Sequence, residues 1–195
     1  MDKVGYVQVY TGDGKGKTTA AIGLSIRALG AGKRVFFLQF MKAMGYSEQR
    51  VLANLVPALE LQTVGKPFFI AREGEISEED RARYQSECVI FPPGQPPAEY
   101  VRLVSSGLET ARDAMASGMY DLVVLDEINC AMHFELLSPD DVLSAIADRA
   151  PGTEVVLTGR RAPQSVIDAA DLVTEMREIK HYYTKGVQAR RGIEN

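Results

Sequence analysis

Eight consecutive residues, G-D-G-K-G-K-T-T from Gly12 to Thr19, bring glycines, lysines and threonines together in one short run. Gly12, Gly14 and Gly16 allow backbone angles at which successive N–H groups turn toward a single anion. Lys17 can reach outer phosphates, and the Thr18 hydroxyl is a hard oxygen ligand for a Mg2+ that bridges phosphate oxygens. The run sits between a β-rich stretch, Val7–Tyr10, and a helical pattern over Thr18–Leu29. A helix starting there adds its positive dipole end to the same anion site. Gly12, Asp13, Gly14, Lys15, Gly16, Lys17, Thr18 and Thr19 are therefore the candidate residues for holding the triphosphate of ATP. The loop departs from the common pattern, which places four residues between its first glycine and the G-K-[ST]. Only Asp13, Gly14 and Lys15 separate Gly12 from Gly16, and the position that should be glycine is Thr11. A standard kinase-like phosphate pose does not follow from so short a loop.

A second set of chemical groups ends the apolar run Leu122–Glu127, LVVLDE. In a parallel sheet, ligands sit beyond the carboxyl ends of the strands, so Asp126 and Glu127 face the edge that carries the phosphate loop. They read as Mg2+ ligands, direct or through water. They also read as a helix N-cap pair if helix resumes at Ile128. Cys88 and Cys130 have no metal-ligand spacing and read as packed thiols. His133 and His181 lack a ligand-spaced partner. Arg160 and Arg161 follow a strand end, where they face phosphate or lie in a solvated loop.

The elements that must position these groups alternate. Strands are expected at Val7–Tyr10, Arg34–Phe40, Leu59–Val64, Asp121–Asp126, Glu154–Thr158 and Asp171–Met176. Helices are expected at Thr18–Leu29, Ser47–Leu55, Glu99–Ser117 and Pro163–Ala170. Ser77 opens a further polar helix with Glu79 and Asp80 in its first turn, where the dipole favours acids. Ser138 reads as an N-cap with Pro139 in the first helical position. Phe91–Pro97, FPPGQPP, excludes helix and reads as a loop. Buried strands alternating with helices predict an α/β fold with a largely parallel sheet; taken with the phosphate loop, the expected fold class is P-loop NTPase-like (RecA-like).

The chain has 195 residues, 46% of them apolar and 25% charged, which suits a single domain over 1–195. A formal net charge of -4 argues against non-specific nucleic-acid binding, which needs a Lys/Arg surplus. No apolar run is long enough to span a bilayer. The first residues lack the apolar core of a signal peptide. The expectation is a cytoplasmic protein with neither nucleic-acid nor membrane partners.

Three blocks together resemble the P-loop corrinoid adenosyltransferases of adenosylcobalamin biosynthesis and salvage. They are VYTGDGKGKTTAAIGLSIRALGAG, DLVVLDEIN, and VVLTGRRAPQSVIDAADLVTEMREIKH followed by KGVQARRGIE. The last has no generic nucleotide-binding meaning and is the most specific; Lys66–Pro97 is the weakest part of the match. The resemblance implies that a Co(I) corrinoid attacks the ribose 5′ carbon of ATP and that inorganic triphosphate leaves whole. It implies ATP held in a reversed sense, which agrees with the short loop. Carried over residue by residue, Lys17 serves phosphate, Thr18 serves Mg2+ (or Mn2+), and Glu127 with Asp126 serves the metal and nucleotide. Arg27 matches a nucleotide-contacting position. A homodimer and an electron-donating flavoprotein reductant are implied partners.

The family displaces the lower cobalt ligand with aromatic side chains after its third strand, commonly with a nearby Trp. This chain has no Trp and instead carries Gly65-Lys66-Pro67-Phe68-Phe69-Ile70. Phe68 or Phe69 is the candidate corrinoid wedge, with a core-packing aromatic pair as the other reading. Lys185–Arg191 reads as a surface or active-site flap. Two other functions stay open on sequence: a P-loop ATPase or phosphotransferase, and a non-catalytic corrinoid- or nucleotide-binding protein.

Overall fold

A computed structural model describes residues 4–76, 78, 82 and 88–194. Six strands build the main sheet: β1 Val7–Thr11, β2 Val35–Phe40, β3 Leu59–Val64, β6 Leu122–Asp126, β7 Glu154–Thr158 and β8 Leu172–Glu175. Their order is β3-β2-β6-β7-β1-β8, and every pairing is parallel. β7 lies between the phosphate-loop strand and the acidic strand, which is the RecA-like arrangement expected.

A central strand covered by helices on both faces must be apolar on both, and β2 and β6 are buried along their whole length. Alternate side chains feed two cores. Phe36, Leu38, Phe40, Val123 and Leu125 face one side. There they meet helices α3 (Ala98–Ala116), α4 (Ile128–His133), α5 (Pro139–Ala147) and α6 (Gln164–Ala169). Val35, Phe37, Val124 and Val156 face the other side, against α1 (Lys17–Gly30) and α2 (Ser47–Leu52). The result is a three-layer α/β sandwich. At α5, the Ser138 hydroxyl accepts from the Asp141 backbone N–H with Pro139 in the first turn, as expected from sequence.

Two regions differ from expectation. The helix expected over Ser47–Leu55 stops at Leu52, because Ala53–Ala58 turns back sharply to feed β3. The stretch between Gly65 and the proline loop contains a separate two-stranded parallel sheet, β4 Phe69–Arg72 with β5 Cys88–Phe91. Strands of four residues carry too little periodicity to be read from sequence. The polar helix expected from Ser77 lies outside the described residues. Among those described, no helix is long and apolar enough to cross a membrane.

Candidate active site

The phosphate loop leaves β1 and winds against the chain that follows β8. Gly14 N–H donates to Met176 O at 2.7 Å. A Cβ at Gly12, where φ is +92°, would come within 2.4 Å of the same carbonyl. Glycine at 12 is therefore required by both conformation and space. Gly16 is the N-cap of α1 in a left-handed conformation, so Lys17 and Thr18 open the helix. Lys17 is buried, and its Nζ donates to the carbonyls of Gly12 at 2.6 Å and Gly14 at 2.7 Å. Burial, then the nearby Arg160 charge, pull its pKa below the usual lysine value.

The acidic partner lies at the carboxyl end of β6. Asp126 is fully buried. Its Oδ1 accepts from the Thr18 hydroxyl at 2.8 Å and the Thr158 hydroxyl at 2.7 Å. Its Oδ2 accepts from Gln39 Nε2 at 3.1 Å and Lys42 Nζ at 2.8 Å. Thus β2, β6, β7 and α1 converge on one carboxylate. Glu127 sits in the left-handed region at φ +63°, an uncommon conformation for a side-chain-bearing residue. Its N–H donates to the Thr158 hydroxyl at 2.9 Å. It takes the N-cap position of α4, but its side chain makes no capping bond. Instead Oε2 accepts from the Cys130 thiol at 2.9 Å. Burial, reinforced by the Glu127 charge, pushes that thiol far above its ordinary pKa.

These groups open onto a cleft of about 670 Å3 whose lining includes Gly14–Thr19, Lys42, Glu127 and Arg160. Its opposite wall is the C-terminal segment: His181 and Gly192, Ile193 and Glu194. His181 caps the short 3-10 helix Tyr182–Lys185 by accepting from Tyr183 N–H. Lys15 Nζ donates to Ile193 O at 2.9 Å and lies 3.6 Å from Glu194. Arg190 pairs with Glu194 and stacks 5.1 Å from the Tyr182 ring centroid. Arg190, then the Tyr182 hydroxyl, hold the Glu194 carboxyl far below the usual carboxylate range.

The structure therefore brings Lys17, Thr18, Thr19, Asp126 and Glu127 to one edge. Asp13 is exposed on the loop. Arg27 is exposed in the last turn of α1, about 15 Å along the axis from Lys17 at the helical rise; it is not among the cleft-lining residues. Phe68 packs against the core, edge-on to Tyr100 at 5.8 Å, which is the core-packing reading. Phe69 is 55% exposed at the start of β4. Neither ring lines the cleft. His133 belongs to a separate polar cluster, 2.9 Å from Glu75 and 3.0 Å from Arg161.

Sequence reasoning missed Lys42, left Arg160 between facing phosphate and a solvated loop, and found no ligand partner for His181; all three line the cleft. The available signal for Lys42 was Gln39, an amide inside an otherwise apolar buried strand, with a lysine just beyond the strand end.

The donor set fits a hard cation. It consists of oxygen groups, Thr18 and the two acids, and among the described residues no three His, Cys, Asp or Glu side chains cluster as a complete protein cage. Mg2+ suits such a sparse set because it keeps waters and substrate phosphates as its other ligands. Asp126 already accepts from four donors, so Glu127 is the better placed of the two acids.

Residues 3–195 match the family described as ATP:corrinoid adenosyltransferase BtuR/CobO/CobP. The chain is 31% identical over 195 residues to the corrinoid adenosyltransferase CobA of Salmonella typhimurium, covering 100% of this chain and 87% of that protein. It is 32% identical over 194 residues to a corrinoid adenosyltransferase of Pseudomonas aeruginosa, covering 99% and 85%. An uncharacterized Nostoc protein is 30% identical over 196 residues, and there the chain spans only 47% of the relative's length. Among solved structures, the flagellar accessory protein FlaH of Methanocaldococcus jannaschii aligns over 88% of this chain and 72% of its own, with a TM-score of 0.48 and 11% identity. By its sequence from end to end, this chain belongs to the ATP:corrinoid adenosyltransferase family.

Proposed function

We propose that the protein transfers the 5′-deoxyadenosyl group of ATP to the cobalt of a Co(I) corrinoid and releases inorganic triphosphate. The observation that carries the reading is convergence on one cleft. Lys17, Thr18 and Glu127 share it with His181 and Gly192–Glu194, which belong to the C-terminal block that has no generic nucleotide-binding meaning.

In the reaction, cobalt supplies an electron pair to C5′, the C5′–O5′ bond breaks, and that bond's electrons leave on the triphosphate. No proton moves in this step, so no general base is required. The protein aligns nucleophile, carbon and leaving oxygen and stabilises the charge that grows on the leaving group. Loop N–H groups, the α1 dipole and Lys17 are the donors for that charge. Thr18 and Glu127 would hold Mg2+, which neutralises phosphate oxygens as a Lewis acid. The C-terminal wall excludes water from the cleft.

The reading extends to a flavoprotein reductant that delivers Co(I) and to a homodimer. Phe69 is the remaining candidate for corrinoid contact, since Phe68 is committed to the core. If Phe69→Ala forms four-coordinate Co(II) corrinoid as well as the parent does, by electron paramagnetic resonance, the contact role is wrong.

The test of function incubates protein with Mg2+, ATP and chemically reduced corrinoid. A light-sensitive Co–C absorption spectrum is expected. ADP and phosphate formed without corrinoid would instead identify an ATPase, and binding without turnover a carrier.

A further inference from the structure

Lys42 stands one residue beyond the turn that ends β2. Met41 adopts φ +58°, and its N–H donates to Val64 O at 2.6 Å. Gly65 packs directly on the Lys42 backbone, where a Cβ would lie 2.4 Å from Lys42 N. Gln49 fixes the other flank by accepting from Gly45 N–H at 2.7 Å and Tyr46 N–H at 3.0 Å and donating to Gln39 at 2.8 Å. A left-handed turn at a side-chain-bearing residue, clamped on both sides, aims one lysine back at the sheet edge.

The ammonium so placed lies 2.8 Å from Asp126 Oδ2, 3.5 Å from the Thr18 hydroxyl and 5.4 Å from the Tyr46 ring centroid, with the cleft on its open side. An ammonium has three donors, and Asp126 engages one of them at full strength. Lys17 and Lys42 thus both line the cleft, with Thr18 adjoining both.

We propose that Lys42 is a second triphosphate-binding cation of the site, and that Asp126 serves to hold Lys42 and Thr18 in place rather than to bind metal. This rests on the reading of the cleft as a triphosphate site. A departing triphosphate carries one more negative charge than the same group esterified in ATP. A cation fixed beforehand beside Thr18 meets that charge without reorganising. The competing role for Lys42 is to neutralise a buried carboxylate and nothing more. Asp126→Asn separates the two, because it removes the charge that needs neutralising.

The experiment titrates inorganic triphosphate into the full chain, without corrinoid, by calorimetry. It compares the parent, K42M, D126N and the double variant, and records each variant's thermal midpoint. The proposal expects K42M to weaken triphosphate binding at least tenfold. It expects the double variant to regain thermal stability while keeping the binding defect. Recovery of parental affinity in the double variant would overturn the proposal and leave Lys42 a counter-ion. No triphosphate binding by the parent protein would instead overturn the triphosphate site itself.

Discussion

The two walls of the cleft are built on opposite principles. The wall at the strand ends rests on Asp126, fully buried and held by four bonds between 2.7 and 3.1 Å from β2, β7, α1 and the turn after β2. The C-terminal wall rests on contacts of another kind. Its 3-10 helix has no buried residue, and it meets the phosphate loop through Lys15 with Ile193 and Glu194 at the surface. Buried polar networks rigidify when every member is satisfied. Exposed ion pairs contribute little and weaken with salt. The groups proposed to act on phosphate thus stand on a rigid frame, while the wall that completes the cleft can open at small cost.

The largest expected effect comes from breaking the firm wall. Asp126→Ala leaves the largely buried Lys42 ammonium without its counter-charge, at a cost of up to about 3 kcal/mol, read as a lower urea midpoint. The pH dependence has a definite sign. The Lys42 pKa is raised in the fold above the ordinary lysine value of 10.5, burial being outweighed by the Asp126 charge and hydrogen bond, so the stability this pair gives is fully present below that value. It is lost as pH rises through the higher folded value. Parent protein should therefore lose stability in strong alkali, and Asp126→Ala should lack that component.

Lys17→Ala comes next and sharpens the contrast, since it should cut turnover on the order of 10²–10³-fold while leaving the urea midpoint nearly unchanged. Because burial lowers the Lys17 pKa from 10.5, its charge is lost earlier than for an ordinary lysine as pH rises. Triphosphate binding should weaken on that alkaline limb, and Lys17→Arg should move the limb upward. An unmoved limb would assign it to another group.

The smallest effect on stability belongs to the soft wall. Glu194→Gln should leave global unfolding unchanged but remove hydrogen-exchange protection from residues 182–194, as raised salt should do in the parent. Because Arg190 and Tyr182 keep Glu194 ionised far into acid, the parent segment should stay docked when pH falls below the usual carboxylate range. Undocking near pH 4.5 would show that this ion pair is not what holds the wall.

The firm wall was more legible in the sequence than the soft one, for physical reasons. Strands such as VFFLQF and LVVLD announce themselves because a central strand must be apolar on both faces. Their carboxyl ends locate the acids. The G-D-G-K-G-K-T-T run is readable because only glycines allow the loop to approach Met176. Lys42 was only faintly legible, through Gln39 inside an otherwise apolar strand, because its contact with Asp126 depends on strand pairing order, which is not written in one segment. β4 and β5 are too short to show a period. The C-terminal wall is built from surface ion pairs that composition cannot place. Arg27, carried over by resemblance, stands in the last turn of its helix and is not among the cleft-lining residues.

We propose that the cleft grips a triphosphate that departs intact. Phosphorus NMR of a completed reaction with ATP and reduced corrinoid tests it most directly. The resonances of free inorganic triphosphate should rise in step with the adenosylated corrinoid, one for one. ADP with phosphate, or AMP with pyrophosphate, appearing in that proportion would contradict it.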